Sequence, residues 1–137
     1  MNVLALHRWA YELTGGRIGH HLGGGVRAAL LTTTGRKTGR ARTVPLAYFR
    51  DGAEIVFVAS NHGSERPPGW LVNAQAKPEV QLQIGAAHLL GTARVVPPGD
   101  PDYARLWQLA NDGNHDRYQR YQAKASRKIP VLVVTPA

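Results

Sequence analysis

The segment richest in chemistry is Gly35-Arg36-Lys37-Thr38-Gly39-Arg40-Ala41-Arg42. Its glycines let backbone N–H groups turn inward, and three arginines and a lysine add charged donors, so it can hold a phosphate or a carboxylate. It is not a nucleoside-triphosphate loop, because Arg36 stands where that motif needs glycine before the Lys-Thr pair. A solvated hairpin carrying surface charge is the competing reading. Anion binding is favoured by the lack of any acid between Glu12 and Asp51, a stretch that carries Arg17, Arg27, Arg36, Lys37, Arg40, Arg42 and Arg50.

Two aromatic groupings come next. Tyr118, Tyr121 and Ala125 fall on one face of a helix, with Arg117, Arg120 and Lys124 beside them. The tyrosines either wall a polar pocket or complete the core with their hydroxyls in water. Trp70 and Asn73, three residues apart, either face one ligand or serve as a core tryptophan and a surface or capping asparagine. Other chemistries find little support. His7, His20, His21, His62, His88 and His115 show no metal-ligand spacing, so no metal is expected. Ser60, Ser64 and Ser126 sit in no Gly-x-Ser-x-Gly elbow, and Gly23-Gly24-Gly25 lacks the strand and helix of a dinucleotide fingerprint. The chain has no cysteine, so any redox chemistry must come from a bound cofactor.

The elements that must position these groups follow from pattern. The 137 residues suit one domain, 1–137, whose net charge of +8 points to an anionic partner. Residues 2–13 predict a helix with Leu6, Trp9, Ala10 and Leu13 on one stripe, which either packs on the domain or lies against a membrane surface. No secretory signal is evident, so cytoplasmic residence is expected, with membrane association left open. Gly15 to Gly25 reads as a surface wrap. Strands are predicted over Ala28–Thr34, Thr43–Phe49, Glu54–Ala59, Val80–Ile84, Ala87–Val96 and Pro130–Thr135, with turns at Asp51-Gly52 and Gly85-Ala86. Pro45 places its strand at an edge. Helices are predicted over Trp70–Ala76, from an Asp100 cap with Pro101 first to about Gly113, and over His115–Ala125. Strands in hairpins with clustered helices give an α+β fold, a small antiparallel barrel with added helices.

The run Leu31-Thr32-Thr33-Thr34-Gly35 through Arg42-Thr43-Val44-Pro45-Leu46 resembles the deazaflavin-dependent nitroreductase family. Val58-Ala59-Ser60-Asn61-His62-Gly63, then Trp70 and Asn73, then Ala76-Lys77-Pro78-Glu79-Val80, then Tyr121-Gln122-Ala123-Lys124 and Arg127-Lys128-Ile129-Pro130-Val131 follow that family in order. The resemblance spans Leu30 to Pro136. It implies a split β-barrel of the flavin-reductase type and the 8-hydroxy-5-deazaflavin coenzyme F-420. By the same resemblance, Arg36, Lys37, Thr38 and Arg42 would hold the coenzyme's phosphate and glutamate tail, with Pro45 beside that groove. Ala59, Ser60 and Asn61 would lie near the deazaflavin ring with Trp70 and Asn73, and Tyr118 and Tyr121 would close the substrate side. The sequence departs from the pattern at Ala47, Asn61 and Leu71, where relatives often carry tyrosine, lysine and an aromatic residue, and these changes bear on the acceptor rather than the coenzyme.

The activity implied is hydride transfer from the reduced deazaflavin to an electron-poor small molecule: a quinone, an enone or an activated nitro compound. An FMN-dependent reductase of the same fold and a non-catalytic cofactor carrier are the alternatives. A nucleic-acid module is disfavoured because no aromatics interleave the basic turn. Charge developing on the acceptor oxygen needs a donor, for which Ser60 and Tyr121 are the candidate catalytic residues. Replacing Tyr121 by Phe is expected to lower turnover more than coenzyme affinity; equal turnover in steady-state assays would remove that role.

Overall fold

The structure is a computed structural model and describes residues 21–23 and 25–137. The predicted helix over residues 2–13 lies outside the described residues. The described residues form eight strands: β1 (His21–Gly23), β2 (Val26–Thr34), β3 (Ala41–Ala47), β4 (Phe49–Asp51), β5 (Glu54–Val58), β6 (Glu79–Ile84), β7 (Ala87–Val96) and β8 (Val131–Pro136). Three helices join them, α1 (Gly69–Ala76), α2 (Tyr103–Gly113) and α3 (Arg117–Lys124), with a 3-10 turn at Asn61–Gly63.

Every strand pair is antiparallel, and the spatial order is β3-β2-β6-β7-β8-β5-β4, with β1 also on β2. β3 and β4 stand at opposite ends of this order, yet only Tyr48 separates them in the chain. Two sheet edges one residue apart can be reconciled only if the sheet curls back on itself, in the direction its natural twist already favours. Tyr48 adds one more rung to the β2–β3 ladder, its N–H donating to the Arg27 carbonyl at 3.1 Å, before the chain passes into β4. The result is a split, barrel-like antiparallel sheet. Pro45 lies on β3, an edge strand in the pairing order, where its missing N–H costs least.

Curling gives the sheet an inside and an outside, and both are packed. Leu31, Ile55, Phe57, Leu82, Leu132 and Val134 fill the interior, capped by Trp70, Leu71 and Ala74 of α1. On the outer face, Val56, Val58, Val131 and Val133 pack under Leu106 and Ala110 of α2 and Tyr118 of α3. Strands β5 and β8 are covered on both faces, which is why they read as continuous apolar runs, whereas β6 alternates.

Several boundaries differ from the sequence expectation. The Gly15–Gly25 wrap contains the short strand β1. Helix α2 starts at Tyr103, not at Pro101, because the Asp100 carboxylate accepts the Asp102 N–H at 2.9 Å and folds the Asp-Pro segment into a turn ahead of the helix. Helix α3 starts at Arg117, since His115 (φ 56) and Asp116 (φ 58) are left-handed. It ends at Lys124, so Ala125 falls beyond the helical face it was expected to share.

The segment after β5 is tied to the segment before β8. Arg127 Nε donates to the Ser64 carbonyl at 2.8 Å, and Arg127 Nη2 donates to the carbonyls of Ala59 at 3.1 Å and Ser60 at 2.9 Å. Ser126 donates its hydroxyl and its N–H to the Glu65 carboxylate at 2.6 and 2.7 Å, and these bonds hold the Glu65 carboxyl below its ordinary value. Gly63 (φ +82) brings the same segment against α3: a Cβ there would stand 2.8 Å from the Tyr121 carbonyl oxygen and 3.2 Å from its Cα.

Gly63→Ala therefore combines left-handed strain with a backbone clash and is expected to cost about 2–4 kcal/mol, read as a lower urea midpoint at unchanged slope. Burial pushes the phenols of Tyr103 and Tyr118 up to about 12. Both favour the protonated form in the folded state, so their contribution is intact below about pH 10 and is lost as pH rises through 12. The urea midpoint should fall across that window, and Tyr118→Phe should remove part of the fall.

Candidate functional site

Where the seam meets the helices, the structure has a cavity of about 880 Å³, a size suited to a cofactor and a small substrate. One wall is Val44 to Ala47 of β3. Ser60, Asn61 and His62 after β5, Trp70 of α1, and Tyr118 and Tyr121 of α3 also line the cavity. Trp70 packs edge-on against Phe57 at 6.4 Å, which anchors this wall to the barrel interior. Tyr118 meets Phe49 edge-on at 5.9 Å and Tyr121 at 6.4 Å, so the two phenols form one aromatic corner. Tyr118 is hydrogen bonded to Asn114, and burial keeps its phenol protonated throughout the neutral range, so it can donate but not act as a base.

Backbone strain gathers at this rim. Of the described residues other than glycine, those with positive φ are Asn61 (φ 44), His62 (φ 58), His115 (φ 56) and Asp116 (φ 58), and the first three line the cavity. Such conformations persist only where the surroundings over-determine them, and here the Arg127 and Glu65 ties do so for the first pair. Asn61 adds its own bond, donating Nδ2–H to the Arg66 carbonyl at 2.9 Å.

The basic turn lies between β2 and β3, outside the cavity wall. Its backbone closes on itself: Gly35 N–H donates to the Arg40 carbonyl at 2.7 Å and Gly39 N–H to the Gly35 carbonyl at 2.8 Å, with Gly39 left-handed (φ 71). Thr38 Oγ1 accepts the Arg40 N–H at 3.2 Å. Arg36 docks on α1, its guanidinium and its N–H both donating to Asn73 Oδ1 at 2.8 and 3.2 Å, while Asn73 Nδ2–H donates to Thr33 Oγ1 at 3.2 Å. Asn73 is a neutral amide, so this anchor leaves the Arg36 charge uncompensated. Among the described residues, the ion pairs of Arg94 and Arg105 with Asp51, Asp100 and Asp102 lie elsewhere, and Lys37, Arg40 and Arg42 are exposed with no carboxylate beside them.

Turn and cavity are joined through two shared elements, β3 and α1. From Pro45 in the wall, three residues of strand, about 10 Å, lead to Arg42. From Trp70, three residues of helix, about 4.5 Å, lead to Asn73. The donor set of the turn and the room in the cavity fit a coenzyme with a polyanionic tail and a flat ring.

Of the residues singled out from the sequence, Pro45, Ser60, Asn61, Trp70, Tyr118 and Tyr121 line the cavity. Arg36, Lys37, Thr38 and Arg42 form the turn. Asn73 does not share the cavity with Trp70, since its side chain is spent on Arg36 and Thr33. Ala59 is buried behind the wall with its N–H donated to the Pro130 carbonyl at 3.0 Å and its own carbonyl taken by Arg127. Sequence reasoning missed His62, Arg66, Asn114, His115 and Arg117 in the lining, and Arg127 behind it. The Asn-His-Gly triplet was a turn signal that could have marked His62; Arg127 has no local signal, because its partners are carbonyls more than sixty residues away.

The family model described as "F420H(2)-dependent quinone reductase" matches residues 3–136. The chain is 47% identical over 135 residues to an F420H(2)-dependent quinone reductase of Mycobacterium tuberculosis (strain H37Rv), covering 98% of this chain and 91% of that one. Among solved structures it is similar to an F420-H2 dependent reductase (FDR-A), with a TM-score of 0.70 at 36% identity over 78% of this chain and 92% of that one. A structure described as a domain-swapped dimer gives a TM-score of 0.73 at 33% identity over 95% and 96%. With the split barrel, the cationic turn and the seam cavity already in place, a match over nearly the whole length settles the kinship: this chain belongs to the F420H(2)-dependent quinone reductase family.

Proposed function

We propose that this chain is an oxidoreductase that takes reducing equivalents from reduced coenzyme F-420 and passes them to a quinone in the seam cavity. The observation that carries the reading is an acid-free cationic turn joined by β3 and α1 to a cavity of about 880 Å³ lined by Pro45, Trp70, Tyr118 and Tyr121. Lys37, Arg40 and Arg42 bind the anionic tail, with Arg36 oriented by Asn73 and Thr38 shaping the turn. When bound, the reduced deazaflavin supplies the hydride. Pro45, Leu46 and Trp70 exclude water from the ring, and Ser60 and Tyr121, which line the same cavity, donate their hydroxyls to the acceptor oxygen as charge develops on it. Tyr118, held protonated, orients the acceptor through its ring and its hydroxyl. Enones and activated nitro compounds belong to the same proposal as further electron-poor acceptors.

The test is a tryptophan-fluorescence titration with oxidised F-420, FMN and NADPH in parallel, since Trp70 lines the cavity and reports occupancy. Tight quenching by the deazaflavin alone is expected. The Lys37→Ala/Arg42→Ala double variant should lose about 100-fold or more in affinity, as two charge-assisted contacts to a tail imply. Binding of FMN without the deazaflavin would leave the fold and overturn the coenzyme.

A further inference from the structure

His62 stands at the mouth of the cavity, and the reading above gives it no task. Its Nδ1 is 3.4 Å from the Tyr121 phenol oxygen, and the two rings meet edge to face at 5.7 Å and 74°. The placement is made against backbone preference. His62 has φ 58 and ψ 24, in a position where glycine would sit without strain; it is followed by Gly63 packed on the Tyr121 backbone, and two residues before it Arg127 holds the Ser60 carbonyl. A side chain needed only as polar surface would gain nothing from that geometry.

We propose that His62 is the proton supply for Tyr121. Once Tyr121 has given its proton to the acceptor oxygen, its O–H bond is broken and a phenolate is left. Imidazolium Nδ1–H then donates to that phenolate, restoring the tyrosine, and the neutral ring recovers a proton from solvent, to which it is exposed. The two electrons come from the reduced coenzyme of the proposed reaction; the relay moves protons only. The separation is within the range of a relay bond that tightens when substrate is present. Among the charged or titratable groups around this pair, the hydrogen bond to the Tyr121 hydroxyl is that of His62. Lys124 Nζ lies over the Tyr121 ring, 5.9 Å from its centroid. Arg66, Arg117 and His115 line the cavity, as does the buried, protonated Tyr118. No carboxylate is among the lining residues, so nothing there competes for the imidazolium proton.

This inference rests on Tyr121 acting as donor in the proposed reaction. Its test is the pH profile of kcat with saturating coenzyme and a neutral naphthoquinone, for the wild type, His62→Gln, His62→Gly, Tyr121→Phe and the His62→Gln/Tyr121→Phe double variant. Wild-type kcat should fall by about tenfold as rising pH removes the imidazolium proton. Both His62 variants should be flat at the wild-type alkaline level, and His62→Gly should do so while folding without strain, which separates proton supply from loop placement. In Tyr121→Phe, the His62 change should be silent. A second readout needs no coenzyme: in the apoprotein, the NMR titration midpoint of His62 should move in Tyr121→Phe. A wild-type profile equal to that of His62→Gln, or a midpoint indifferent to Tyr121, overturns the proposal. Failure of F-420 to quench the wild-type fluorescence would instead overturn the proposed function, and the apoprotein titration would still decide the pairing.

Discussion

Tyr48 is the constraint on which the rest depends. A single residue joins strands at opposite ends of the sheet, so the sheet must curl. Curling encloses Leu31, Phe57, Leu132 and their neighbours, and it turns the outer faces of β5 and β8 into the bed for α2 and α3. It also leaves a seam where β3 stops being paired along its second edge. The cavity opens at that seam, with β3 as one wall and the loop after β5 as the other. The cavity is therefore a by-product of how the barrel closes, not an addition to it.

The two halves of the site are built by different means. The cationic turn is local: its glycines and its internal backbone bonds shape it, and one amide on α1 fixes its position. The wall from Ala59 to Arg66 is the opposite case. It has little regular structure of its own and holds strained residues, and its shape is imposed by Arg127, by Ser126 with Glu65, and by Gly63 against α3. Rigid scaffolding on one side and tertiary ties on the other hold Ser60 and Tyr121 across a common space.

That difference explains what could be read from the sequence. The hairpins were legible because Gly52 and Gly85 sit at left-handed turns between alternating or apolar runs. The turn at Gly35–Arg42 was legible because charge without compensating acid is visible in one dimension. Most of the cavity wall, including Pro45, Ser60, Trp70, Tyr118 and Tyr121, came from the family resemblance together with helical spacing. Asn73 was misplaced because a helix face says nothing about which neighbour claims a side chain, and here Arg36 does. The helix starts at Tyr103 and Arg117 moved because Asp100 closes a turn and because His115 and Asp116 reverse the chain, effects that depend on backbone dihedrals rather than on residue pattern. Arg127 was invisible in its role because it binds carbonyls, which every residue has.

The tether between Arg36 and Asn73 carries a consequence for kinetics. A carboxylate in that place would hold the turn equally well but cancel part of its field; an amide holds it and leaves the field intact. With a net charge of +8 on the chain and this uncompensated cluster at the turn, a polyanion diffusing nearby is drawn towards the turn before any contact forms. Its rate of capture should then follow the Debye length and fall with ionic strength, while its rate of escape is set mainly by short-range contacts in the seam. Arrival and residence are thus governed by separate parts of the same small domain.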